Sequence, residues 1–267
     1  MTHSSPTNQT HSKGAGLHCT TSDDVTLSGV HVPAGSDAAA FVLAHGFTHG
    51  IAKPATRAAI GAFAQHGAVV AADFRGHGMS SGRSSVGRDE VLDLDAVVRW
   101  TREQGYPTVT VVGFSMGGAV ALRHAALGDH RPDVVVSVSA PSRWYVRESV
   151  PMRRLHWLLE HPLAVPMAAA IGVRLGEPWQ DLPPSPVEVA SAIDVPLLLV
   201  HGTEDDYFTP AHAIALQDAS RSGELWIEPG MGHGETALTP EMTRRIADWS
   251  AAALTDRAGA GRERQAR

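Results

Sequence analysis

Cysteine is almost missing from this chain of 267 residues: Cys19 stands alone. No intramolecular disulfide can form, and a cysteine-based metal cluster has no ligands to draw on, which fits a reducing compartment. Lysine is nearly as scarce, with only Lys13 and Lys53 among the 22 basic residues. With alanine abundant, that reads as a GC-rich coding bias and not as function. The formal charge of −6 provides no basic face for nucleic acid. No stretch approaches the roughly 18 consecutive apolar residues that a membrane helix needs. Residues 1–16 lack the apolar run of a secretory signal and read as a disordered tail. Residues 257–267, rich in arginine, read as a frayed, solvated end. The expectation is a cytoplasmic protein with neither a nucleic-acid nor a membrane partner. Nothing in the sequence speaks to its oligomeric state.

The length suffices for one large α/β domain with an insertion. Its organising stretch is Val109 to Leu122. An apolar β-branched run (Val109, Val111, Val112) meets Gly113-Phe114-Ser115-Met116-Gly117-Gly118, and a small-residue helical run follows. Strand, sharp turn and helix are the context in which G-x-S-x-G presents a nucleophilic serine. Gly113 and Gly117 remove Cβ atoms where strand and helix would pass close together. A serine that merely caps a helix would leave those glycines unexplained.

The rest of the chain supports the same architecture. Leu17–Cys19 and Val25–Val32 alternate around Ser22-Asp23-Asp24 as an antiparallel hairpin. Phe41–Ala44, Ala68–Ala72, Val134–Val138 and Val195–Val200 are near-continuous apolar runs, expected in a parallel sheet covered on both faces. Helices are expected over Thr56–His66, from an Asp89 N-cap through Thr101, over Pro210–Ala219 and over Pro240–Leu254, with a strand at Glu224–Ile227. Alternating strands and helices mean βαβ units with right-handed crossovers. Residues 141–192 break the pattern, with eight of the 17 prolines and three of the six tryptophans. Pro151 and Pro162 suit first turns of helices, and Met167, Ile171 and Leu175 fall at i, i+4, i+8. This stretch reads as a helical cap inserted between core segments 17–140 and 193–256.

The strings HGF (45–47), DFRGHGMSSG (73–82), GFSMGG (113–118), HGTEDD (201–206) and GMGHGE (230–235) each follow an expected strand. In an open α/β sheet that edge binds ligands. On these strings the sequence resembles the α/β-hydrolase fold family from about residue 25 to 254, most closely its microbial serine esterases with a short helical cap. The fold implied is a mostly parallel central sheet flanked by helices, with the cap inserted.

The resemblance implies roles residue by residue. Ser115 is the nucleophile. His233, in a glycine-flanked loop after the last strand, is the base that a serine hydroxyl needs. Asp205, at the family's His-Gly-x-x-Asp spacing, fixes the histidine tautomer, with Asp206 as the alternative. The backbone N–H groups of Phe47 and Met116 form the oxyanion hole. Phe47 and Met116, with Trp144 and Trp157 from the cap, are the expected pocket residues. No cofactor and no metal are expected, because His45 and His49 lack the further ligands that complete a site. Asp73, Arg75 and His77 read as loop-holding contacts, and Asp93 and Asp95 as solvated carboxylates pointing in different directions. The implied partner is a small-molecule acyl ester. A thioesterase, lactonase or amidase would use the same triad, cofactor-free perhydrolase or haloperoxidase activity is a possible side reaction, and a hydrolase-like binding protein would hold a ligand without turnover. Serine at 115 argues against the dehalogenases and epoxide hydrolases of this fold, which place aspartate there.

Overall fold

The apolar runs assemble into one sheet of eight strands in a computed structural model that describes residues 15–35 and 39–265. The strands are β1 (Ala15–Thr20), β2 (Thr26–Val32), β3 (Ala40–Ala44), β4 (Ala68–Ala72), β5 (Val109–Phe114), β6 (Val134–Val138), β7 (Leu197–Gly202) and β8 (Gly223–Glu228). Their order across the sheet is β1-β2-β4-β3-β5-β6-β7-β8. β1 pairs antiparallel with β2, and β2 with β4; all other neighbours are parallel. Every residue of β3 to β7 is buried.

The helices are α1 (Pro54–Phe63), α2 (Glu90–Glu103), α3 (Met116–Leu127), α4 (Val150–Glu160), α5 (Ala164–Ala170), α6 (Pro186–Val189), α7 (Ala211–Ala219) and α8 (Pro240–Gln265). Strand side chains alternate between two cores, as the two-residue period requires. Val42, Val70, Val111 and Leu199 pack with Leu94 and Val97 of α2 and Val120 of α3. Leu43, Val69, Val112 and Leu198 pack with Ile60 and Phe63 of α1 and Ile246 of α8. Fully burying one such side chain contributes about 1.5–3 kcal/mol.

Several expectations need correction. Residues 1–14 of the expected N-terminal tail lie outside the described residues, while Ala15 and Gly16 already belong to β1. α8 runs on through Gln265, beyond Leu254 and into the stretch expected to fray; its alanines and arginines are strong helix formers. Asp89 does not cap α2: it has helical dihedrals, and its carboxylate pairs with Arg88. Glu90 organises that end instead, accepting from the Ser84 and Ser85 hydroxyls and from the Ser85 and Gly87 N–H groups. A carboxylate at a helix N-terminus is favoured by the exposed N–H groups there.

Asp93 and Asp95 are not solvated. Buried Asp93 accepts from the Arg75 backbone N–H (2.7 Å) and from its Nε (2.8 Å), and Arg75 reaches on to Asp23 in the β1–β2 turn. Asp95 is bonded to the His130 side chain and backbone, with His124 Nε2 at 3.3 Å.

In the region 141–192, Pro151 lies in the first turn of α4, but Pro162 falls in the turn before α5. Gly172, at φ 89°, ends α5 in the left-handed conformation. Leu175 therefore leaves the expected helical face and pairs with Ser84, while Val173 pairs with His77. Backbone bonds Ser84 to Arg174, Arg174 to Gly76, and Gly176 to Ser84 strap this region onto the loop after β4.

Candidate active site

β5 ends at Phe114 and α3 begins at Met116, so Ser115 alone makes the turn, at φ 53° and ψ −118°. A non-glycine residue there costs on the order of 1–3 kcal/mol and persists only where neighbours hold it. Ser115 N–H donates to Val138 C=O at 2.9 Å, and Ala119 N–H to Ser115 C=O at 3.1 Å. The flanking glycines are sterically required: a Cβ on Gly113 would lie 2.3 Å from Gly117 O, and one on Gly117 2.1 Å from Ala44 O.

The loop after β8 brings His233 over this turn. Its Nε2 lies 2.9 Å from Ser115 Oγ, while Nδ1 lies 2.9 and 2.8 Å from the two Asp205 oxygens. A carboxylate is an acceptor only, so Nδ1 carries the proton and Nε2 presents a lone pair to the hydroxyl. The Asp205 side chain is fully buried, and also accepts the N–H groups of Tyr207 and Phe208. Burial pushes its carboxyl up, but the His233 bond and charge and the two backbone donors outweigh it, leaving Asp205 below the usual carboxylate range. Asp206 and Glu204 are exposed.

Three neighbours of the histidine escaped sequence reasoning. His201 is buried, donates to Phe208 C=O at 2.9 Å and so braces the loop carrying Asp205; burial holds it towards the neutral form. Tyr207 stacks on the His233 ring. Ser139 Oγ accepts Gly234 N–H at 3.1 Å, tying the histidine loop to the end of β6. Only His201 lies inside a quoted motif string, and burial and stacking leave no mark in a pattern.

The backbone N–H groups of Phe47 and Met116 have no acceptor among the described residues, and both residues line the cavity around Ser115. The Phe47 loop is held firmly. Phe74 N–H donates to His45 Nε2 (3.0 Å), so His45 Nδ1 carries the proton and donates to Gly46 C=O (2.8 Å). Burial, with the neighbouring His77, holds His45 well below the ordinary imidazole value and hence neutral. His77 Nε2 lies 2.6 Å from Phe47 C=O, and Asp73 accepts Ile51 N–H at 2.8 Å. Asp73, Arg75 and His77 thus hold loops together. Among the described residues, no three His, Cys, Asp or Glu side chains converge as metal ligands.

The cavity measures about 1030 Å³ and is walled by Met116, Trp144, Leu155, Leu159, Trp179 and Phe208, among others. Trp144 meets Trp179 edge-on with ring centroids 5.4 Å apart. Trp157, expected in the pocket, is 58% exposed and lies outside the lining. On α4, Met152, Leu155 and Leu159 recur at helical spacing and face inward, and two residues further round from Leu155 is the opposite side.

An eight-stranded, mostly parallel sheet with this serine turn at its C-terminal edge defines an α/β-hydrolase. The chain belongs to the alpha/beta hydrolase family, which it matches over residues 41–249. A Yersinia pestis protein that carries the name carboxymethylenebutenolidase is 26% identical over 156 residues, covering 56% of this chain and 46% of that protein. The match thus spans about half the length of that curated relative. A Pyrococcus furiosus esterase superposes with TM-score 0.71 at 24% identity, covering 91% of each chain. Est1E of Butyrivibrio proteoclasticus, solved with ferulic acid bound, superposes with TM-score 0.64 at 16% identity, covering 90% of this chain and 98% of that one. These superpositions show a shared fold.

Proposed function

We propose that this protein is a serine hydrolase that cleaves carboxylic esters through an acyl-enzyme. The observation that carries the reading is the unbroken contact from Asp205 through His233 to Ser115 Oγ, with Nε2 at 2.9 Å from the hydroxyl. His233 takes the proton as Oγ attacks the carbonyl carbon. The C=O electron pair moves onto oxygen, where the Phe47 and Met116 N–H groups are the candidate donors. As the tetrahedral species collapses, the C–O bond breaks and the leaving alcohol takes the proton from His233. Water then repeats the sequence against the acyl-enzyme and releases the acid. Asp205, ionised throughout, stabilises the imidazolium.

The names of the esterase relatives support an ester substrate. The butenolide in the Yersinia protein's name is a lactone, an internal ester, which favours lactone hydrolysis as the second reading. A cytoplasmic setting, supported by the lone cysteine, belongs to the same proposal. A panel of p-nitrophenyl esters, lactones and acyl-CoA thioesters, with phosphonate labelling of Ser115, tests it. Ester turnover should fall at least about 10³-fold in Ser115→Ala. Absence of both turnover and a Ser115 adduct would instead indicate a binding protein.

A further inference from the structure

The reaction described above leaves one buried acid of the cavity unused. Glu235, two residues past His233, is 5% exposed and lines the cavity. Its Oε1 accepts Gly46 N–H at 3.1 Å and lies 3.4 Å from His49 Nδ1. Its Oε2 makes no hydrogen bond among the described residues, and the side chain lines the cavity. An acceptor oxygen that the protein leaves unpaired at a cavity wall is open to a donor on whatever occupies that cavity.

Gly46 shows where that ligand group would sit. A Cβ on Gly46 would lie 3.4 Å from Glu235 Oε2 and 3.5 Å from Ser115 Cβ. The floor between nucleophile and carboxylate is thus one glycine wide, and both face the same substrate. A carboxyl oxygen so close to the reacting carbonyl would oppose the charge developing there unless a donor meets it. A donor carried by the substrate would pair Oε2 and screen its field.

We propose that Glu235 determines specificity: Oε2 accepts a hydrogen bond from a hydroxyl or ammonium group within two carbons of the ester linkage, on the acyl or the alcohol side. The apolar walls take the hydrocarbon and Glu235 reads the polar substituent. The proposal rests on the ester-hydrolase reading and adds a substrate class to it: hydroxy- or amino-substituted esters.

The test compares isosteric pairs on the full chain by pH-stat. Methyl 3-hydroxybutyrate is set against methyl 3-methylbutyrate, and 2-hydroxyethyl butyrate against propyl butyrate. The wild type should favour the hydroxylated member of at least one pair by about 10- to 100-fold in kcat/KM, the scale of a charge-assisted hydrogen bond. In Glu235→Gln the Gly46 N–H still claims the amide oxygen, which turns the NH₂ group towards the substrate. That amide can still donate to the hydroxyl oxygen, but without the charge, so the preference should shrink to a few-fold. A Glu235 that only held the Gly46 loop would slow both members equally and leave the ratio intact, overturning the proposal. Equal wild-type rates within both pairs would overturn it too, while leaving ester hydrolysis standing and requiring no variant to fold. No turnover of any member, with no phosphonate adduct on Ser115, would overturn the ester-hydrolase reading itself.

Discussion

Tyr207 lies over the His233 ring with centroids 4.3 Å apart and 28° between the planes. Aromatic pairs of this kind contribute about 0.5–1.5 kcal/mol, so Tyr207→Ala should lower kcat/KM by up to about tenfold. Tyr207→Phe, which keeps the ring, should stay near wild type in the same steady-state assay. Asp205→Asn presents the wrong partner to Nδ1 and should reduce kcat by roughly 10⁴-fold, while Asp206→Asn, changed at an exposed side chain, should have little effect. At this scale the triad candidates were legible, because a nucleophile turn and a glycine-flanked histidine need particular residues in particular order. The choice between Asp205 and Asp206 rested on spacing alone. Glu235, His201 and Tyr207 matter through what they touch, and a string of letters does not record contact.

Elements are fixed by close approach and by buried charge. Gly117 lies where a Cβ would meet Ala44 O at 2.1 Å, so Gly117→Ala must push α3 away from β3. The expected result is a loss of about 1–3 kcal/mol in urea unfolding together with a loss of turnover. Arg75 links α2 to the β1–β2 turn through Asp93 and Asp23. Removing one partner of a buried pair strands the other, so Arg75→Ala should cost about 3–5 kcal/mol by the same measurement. In the 141–192 region, Trp144→Ala should shift acyl-chain preference across an ester series, and Trp157→Ala should not, since Trp144 alone of the two lines the cavity. Strand and helix positions were readable because burial on one or both faces imposes a period. Helix ends were not: Glu90, bonded to the loop just before it, displaced Asp89, and Gly172 in the left-handed conformation cut short the face drawn through Leu175.

For the molecule as a whole, Asp95 is one of the carboxylates, with Asp23 and Asp205, expected to make stability depend on pH. Burial raises the Asp95 carboxyl, but hydrogen bonds from His124 and from the His130 backbone and side chain lower it further, below the ordinary value of 3.8. A depressed folded-state value means that the contribution is complete above the unfolded value and is lost as pH falls below it. The stability gap between wild type and Asp95→Asn in thermal melts should therefore be widest above about pH 5 and close towards about pH 2. A gap that stayed constant across that range would show the contact to be energetically silent. By itself the sequence determined the α/β alternation, the serine turn and the candidate triad, because each is enforced locally by hydrophobic period, by glycine or by residue order. Only the tertiary structure decided which charges are buried, which tryptophan faces the cavity, and that Glu235 shares a floor with Ser115. Those outcomes depend on chain segments far apart in sequence meeting at one sheet edge, and no local rule records them.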